Sequence, residues 1–596
     1  MKQFFKTLLA SVLGLFVGFF LIIIFSIALI ATLSGGDDKG YEAEENSVLY
    51  MTLNQKVVDN ASNGILDNLN IPGMSSDKKL GLNDIISSLN RAKTDDNIKG
   101  IYLDLSSRPG GLGTIEEIRN AILDFKESGK WVIAYSEYYS HYTYYIATAA
   151  DEIYLYPEGE IDFKGFRTEL MFFKGALEKL EIVPQIIRGS NNKFKSAMEP
   201  FMYDQMSEAN REQTMKYLSS MWGHVLQGIS ESRGVSIEEL NLIADSILIQ
   251  STADAVKYKL VDKAMYKDEI LVLLRKKLEI EEDDDIETAC FMDYIDYEDP
   301  DKKLKETLGE DTGDKIAVIY ATGSIESGNG DDETIGSERI SKAIRKARLD
   351  STVKAVVLRV NSPGGSALAS DVMWREMVLC KEKKPVIVSM GDVAASGGYY
   401  IACPADRIFA NPTTITGSIG VFGLMPYTGD FFKNKLGITT DRAKTNAHAD
   451  MGSSFRMLDD FEFGTIQKGV DKIYLQFTTK VAEGRGMTQP AVDEIGQGRV
   501  WTGIDAKEIG LVDELGGLSA AIDYAAEAAE LEDYDVRTFP KEKDPLEEII
   551  LELKGESKTY FAKEFLGSNY KIYEQLDNIS TMKGYQMRIP YLIDIR

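Results

Sequence analysis

The chain is poor in the residues on which many hydrolytic and metal chemistries rest. Its 596 residues include only three histidines, His141, His224 and His448, and three cysteines, Cys290, Cys380 and Cys403. An odd, scattered set of cysteines builds no disulfide framework and contains no C-x-x-C pair, so buried free thiols are expected. No H-E-x-x-H pattern occurs, which argues against a zinc hydrolase of that type. Positive charge is also short: 67 Lys and Arg against 94 Asp and Glu leave a net charge of -27. That balance opposes a nucleic-acid partner, whose phosphates need basic patches. A nucleotide cofactor is equally disfavoured. "GSNNKFKS" (189–196) nearly spells a phosphate-binding loop, but Phe194 stands where the second glycine must be. No cofactor or metal is expected.

What the chain does have is length and apolar residues. At 596 residues and 44% hydrophobic content it exceeds what one core accommodates. From Leu8 to Leu33 no charge interrupts the apolar run. A helix over 8–33 would cross a hydrocarbon layer of about 30 Å with some tilt, and it outlasts the apolar core of a cleaved signal. Lys2 and Lys6 precede it and Asp37 and Asp38 follow, so the short end is expected in the cytoplasm and the body outside.

The body repeats itself. "IKGIYLDLSSRPGG" (98–111) resembles "VKAVVLRVNSPGG" (353–365), and "DAVKYKLVD" (254–262) resembles "DAKEIGLVD" (505–513), each about 250–256 residues apart. Short apolar strands alternate with amphipathic helices, the pattern of an α/β fold around a buried sheet. The expected organisation is a first repeat over 45–278, an acidic, solvated linker over 279–314, a second repeat over 315–535 and a tail over 536–596. "DPLEEIILELKG" (544–555) within the tail is expected to be one helix.

Three stretches of the second repeat carry candidate chemistry. In "GDVAASGGYY" (391–400), Ser396 sits among alanines and glycines at the start of a helical pattern, where a substrate backbone can come close. In "NSPGG" (361–365), Gly364 and Gly365 join a strand to a helix, where free N–H groups can face a developing oxyanion. In "TGSIGVFG" (416–423), Ser418 is a candidate for orienting a base or substrate. Aligned through "YYIA", the first repeat carries His141 where the second has Ser396, and bulkier Tyr142 and Thr143 replace the two glycines. The first copy therefore lacks the nucleophile, and His141 is expected to be a packed surface residue. It contributes instead Lys195, in "KFKSAMEPF" (193–201), among small and apolar residues. Desolvation lowers a lysine's pKa, and a neutral lysine can act as a general base.

"NSPGG", "ASGGYYIA", "TGSIGV" and "KSAMEPF", with the apolar N-terminal run and the repeat, resemble the signal peptide peptidase A family in its long, two-repeat, membrane-anchored form. The resemblance extends over nearly the whole chain. It implies tandem domains of the caseinolytic-protease/crotonase fold and a serine endopeptidase with a Ser–Lys dyad, Ser396 as nucleophile and Lys195 as general base. It also implies Gly364 and Gly365 in the oxyanion hole. Remnant signal peptides are the implied substrates, and the periplasmic face of a bacterial inner membrane is the implied location. The implied assembly is a homotetramer whose sites are shared between neighbouring chains. A crotonase-type enzyme acting on an acyl-CoA thioester, and an inactive membrane scaffold that binds peptides, are the alternative readings. An α/β-hydrolase scheme fits poorly, since it needs Asp and then His downstream of the serine, and only His448 lies there.

Overall fold

The computed structural model describes residues 41–61, 79–105, 109–295, 313–331, 333–540 and 585–589, with isolated positions before residue 19. Most of the apolar run 8–33 and the whole of 544–555 lie outside the described residues. Among the described residues no helix is long and apolar enough to cross a membrane.

Two α/β repeats are built on matching sheets. In the first, the strands run in the order Lys263–Ala264, Glu152–Ile161, Trp131–Tyr139, Ile98–Asp104, Ser47–Thr52 and Thr288–Cys290. In the second, the path is Val500–Thr502, Ile415–Gly417, Val386–Ala395, Val353–Ser362, Lys315–Thr322 and Asp535–Phe539, with Arg407–Ala410 branching off Val386–Ala395. Within each path all neighbours pair parallel except Ile415–Gly417 with Val500–Thr502. Runs such as Ala355–Val360 are wholly buried, as a parallel sheet covered by helices on both faces requires. Each repeat carries a 26-residue helix, Glu208–Arg233 and Asp460–Arg485, capped at its start by the side chain of Ser207 or Asp459 and ended by a left-handed glycine, Gly234 or Gly486.

A third sheet ties the repeats together. Val183–Arg188 leaves the first repeat and pairs antiparallel with Phe422–Tyr427 of the second, Arg188 opposite Phe422 and Val183 opposite Tyr427. The same sheet continues through Tyr585–Arg588, Gly364–Ser366, Ser324–Glu326 and Thr334–Gly336.

Three expectations are corrected. The stretch 279–314 is not wholly a solvated linker: Thr288–Cys290 adds an edge strand to the first sheet, and Phe291 and Tyr294 are buried in its core. Apolar residues hidden in an acidic sequence were enough to dock it. His141 is buried, not on the surface, because Phe166 and Trp222 pack edge-on against its ring. Cys380 and Cys403 are buried thiols, but Cys290 is exposed on the edge strand.

Candidate active site

Ser396 stands at a sharp strand-to-helix junction. Val386–Ala395 ends one residue before it and Gly397–Ala402 begins one residue after it. At Ser396 φ is +57° and ψ is -111°, a conformation that costs an L-residue of order 1–3 kcal/mol and has to be held by its surroundings. Its N–H donates to the Gly417 carbonyl at 2.8 Å, and the side chain is fully buried.

Lys195 reaches that serine from the other repeat. The strand Val183–Arg188 delivers the chain to the second repeat, and the following turn is pinned on both sides. The Arg188 guanidinium donates to Asn192 O at 2.7 Å, the Phe194 N–H to Gln497 O at 2.9 Å, and the Gln213 amide to Phe194 O at 2.9 Å. Lys195 Nζ then lies 2.8 Å from Ser396 Oγ, 2.8 Å from Ser418 Oγ and 2.9 Å from Ser418 O. The residue is 2% exposed, and burial pushes its pKa well below the ordinary lysine value of 10.5. A neutral amine has two N–H groups and one lone pair. The surroundings match: Ser418 O and Oγ accept the two donors, and the Ser396 hydroxyl can donate to the lone pair.

The amine lies beside a small hollow lined by Lys195, Gln213, Tyr217, Ser418, Gly498 and Arg588, among others. A buried lysine hydrogen-bonded to a strained serine is an arrangement for taking the serine's proton during nucleophilic attack.

The family model of peptidase family S49 matches residues 124–281 and 379–532, one match in each repeat. The chain belongs to peptidase family S49. Protease 4 of Salmonella typhi is 37% identical over 494 residues, covering 81% of this chain and 78% of that protein. Protease 4 of Haemophilus influenzae is 34% identical over 572 residues, covering 90% and 88%. The chloroplastic serine protease SPPA of Arabidopsis thaliana is 35% identical over 496 residues, covering 82% and 70%. This S49 chain is a serine protease.

The S49 chain assembles Lys195, Ser396 and Ser418 within a single copy. A site shared between neighbouring chains is therefore corrected: the crossover strand Val183–Arg188 carries the lysine into the second repeat of its own chain. The two glycines of "NSPGG" divide their tasks. Gly364 has φ +96° and turns its N–H to Ser362 Oγ at 3.1 Å, which takes that donor out of the cleft. A β-carbon at Gly364 would collide with the Met587 carbonyl oxygen and stand 2.8 Å from the Gly397 nitrogen. Its contribution is space, and Gly365 pairs with Ile325 on one side and Met587 on the other.

Sequence reasoning did not single out Gly498. It has φ +81°, and a β-carbon there would stand 2.6 Å from Lys195 Cα as well as strike its side chain. The glycine pair in "EIGQGRV" (494–500) was its only sequence signal.

Among the described residues, His448, Asp459 and Glu462 lie close enough together to hold a metal. Arg456 already occupies that cluster, 2.6 Å from Glu462 Oε1.

Proposed function

We propose that Ser396 is the nucleophile and Lys195 the general base of a Ser–Lys dyad, and that the physiological substrates are remnant signal peptides. The observation that carries the dyad is the 2.8 Å approach of Lys195 Nζ to Ser396 Oγ in a fully buried setting. Lys195 Nζ takes the hydroxyl proton as Ser396 Oγ attacks the scissile carbonyl, and Ser418 holds the amine by two hydrogen bonds. The backbone N–H groups of Gly365 and Gly397 serve the developing oxyanion, where such donors are worth several kcal/mol. Lysine returns the proton to the leaving amine, and water then cleaves the ester. Each repeat is of the caseinolytic-protease/crotonase type.

The substrate reading is supported by the uncharged run 8–33, which as an anchor would keep the body at the membrane where cleaved signal peptides remain. It is also supported by the 34% identity over 271 residues with a protein of Enterococcus faecium described as a putative signal peptide peptidase. A body on the periplasmic side and assembly as a homotetramer belong to the same proposal.

Two measurements test it. A fluorophosphonate should label the wild type at Ser396 and leave Ser396→Ala unlabelled. Incubation with synthetic signal peptides should yield internal fragments by mass spectrometry, and intact peptides beside a labelled serine would remove the substrate class.

A further inference from the structure

The strand that leads to Ser396 does not run straight to it. Val360 faces Met390 and Ser362 faces Ala394, so Asn361 alone stands opposite Gly391, Asp392 and Val393. At this bulge the strand also changes its other neighbour, from Arg407–Ala410 along Ile387–Met390 to Ile415–Gly417 along Val393–Ala395. A bulge bends a strand and re-aims the side chains beyond it, and bulges gather beside active sites. Here the side chain beyond it is that of Ser396.

Both repeats hold the bulge. Thr414 Oγ donates to Gly391 O at 2.7 Å, and the Val393 N–H donates to Asn361 Oδ1 at 3.2 Å. Asn361 is itself fixed from the first repeat, its Nδ2 donating to Asp59 Oδ2 at 2.8 Å. The remaining residue, Asp392, reaches into the first repeat. One carboxylate oxygen accepts the Thr114 N–H and the other the Thr114 hydroxyl, in the first turn of the 15-residue helix Leu112–Lys126. The free N–H groups and dipole of a helix start suit an anion. The fit is close: a β-carbon at Gly111 would stand 2.4 Å from Asp392 Cγ, and one at Gly113 would stand 3.1 Å from its Oδ1. In the repeat, Gly110 and Gly111 are the counterparts of Gly364 and Gly365. The second repeat keeps its Pro-Gly-Gly turn at the active site, and the first uses its own to grip the strand that carries the serine.

We propose that Asp392 is a positioning residue for Ser396, through which Thr114 of the first repeat sets the place of the nucleophile; this rests on the Ser396–Lys195 reading. Asp392 acts through the backbone. Thr416 Oγ donates to Ala394 O at 2.7 Å and the Ser396 N–H to Gly417 O at 2.8 Å, and both bonds depend on the bulge delivering the chain to that register. Without the two bonds to Thr114, Gly391–Val393 relax toward Asn361 and Ser396 Oγ shifts relative to Lys195 Nζ. A displaced nucleophile loses rate rather than binding, and an ångström is enough. The amine is held separately, by Ser418 and by the turn that Gln213 pins, so its ionisation stays where it is.

The test uses the full chain and compares folded protein only. It measures the rate of fluorophosphonate labelling at Ser396, and kcat and KM for an apolar fluorogenic peptide across pH. Asp392→Ala should slow labelling and lower kcat by roughly ten- to a hundredfold, with KM and the midpoint of the pH profile close to wild type. Asp392→Asn, which still accepts the Thr114 N–H, should recover most of that loss. Thr114→Val removes only the hydroxyl's bond and should show a smaller loss of the same kind. Wild-type labelling and kcat in Asp392→Ala, with only a lower melting temperature, would make the contact a matter of stability and overturn the proposal. If Asp392→Ala does not fold, wild-type labelling in Thr114→Val overturns it instead. A shifted pH midpoint would move the effect to Lys195, and an Asn variant as slow as the Ala variant would make it one of charge; either result also overturns it. In all these cases a labelled wild type leaves the dyad standing, whereas a wild type unlabelled at Ser396 removes both readings.

Discussion

Arg359, on a strand of the second repeat, lies fully buried between two carboxylates of the first, with Nε 2.7 Å from Asp59 Oδ1 and Nη2 2.7 Å from Glu117 Oε1. Its Nη1 donates to Ser389 Oγ on the strand that leads to Ser396. On that strand Asp392 accepts from the Thr114 N–H and hydroxyl, both at 2.9 Å. The two repeats are therefore joined through charged groups that bond to the strand leading to the serine. Arg359→Ala should destabilise the chain by roughly 3–5 kcal/mol, because it leaves two buried carboxylates without their counter-charge. Denaturant melts of the wild type and the variant measure this. A change below about 1 kcal/mol would show the carboxylates to be solvated.

The dyad has a pH signature. Lys195 acts as a base only when neutral, so kcat/KM should rise with pH along one ionisation well below 10.5, the direction in which burial moves this amine. Stability has the same sign. Between the folded and unfolded pKa values the unfolded state binds the extra proton, so this site's contribution to stability grows as pH rises. Lys195→Met should abolish turnover yet melt at or above the wild-type temperature near neutral pH, with a flatter dependence on pH. Turnover in Lys195→Arg, which stays protonated, would refute the base.

Gly498→Ala should cut kcat by more than tenfold while the chain still folds. The added carbon meets Lys195 from its backbone outwards, and the positive φ at this position adds about 1–2 kcal/mol of strain. Circular dichroism separates misplacement of the lysine from unfolding.

His141 occupies in the first repeat the place of Ser396 in the second, at the start of the helix His141–Ala147. Its Nε2 accepts the Lys164 N–H at 3.0 Å, which fixes it as a packing residue. His141→Ala should lower stability and leave kcat/KM within about twofold, once folded protein is compared. A loss as deep as that of Ser396→Ala would give the first repeat a chemical role.

Co-expression of Ser396→Ala with Lys195→Ala should restore no activity in mixed oligomers, since one chain supplies both residues of each site. Recovery approaching a quarter of wild-type sites would mean that chains exchange the segment carrying Lys195.

Much of this protein is readable along the chain. The duplication, the buried parallel strands and the small residues around Ser396 are local patterns, and local patterns survive in one dimension because strand and helix periodicity impose them. Lys195 could be picked out by its apolar neighbours and by the absence of a serine in its own repeat, but its distance from Ser396 could not be read from sequence. That distance depends on Val183–Arg188 pairing with Phe422–Tyr427 rather than with its own sheet, and pairing between strands more than two hundred residues apart follows from how two cores dock. The same holds for Arg359 with Asp59 and Glu117, for Gly498 against Lys195, and for Tyr585–Arg588 in the cleft. None of these partners shares a periodic signal. Each contact exists because folding removes water from both sides and leaves hydrogen bonds, charges and shape to be matched by whatever the rest of the chain brings there.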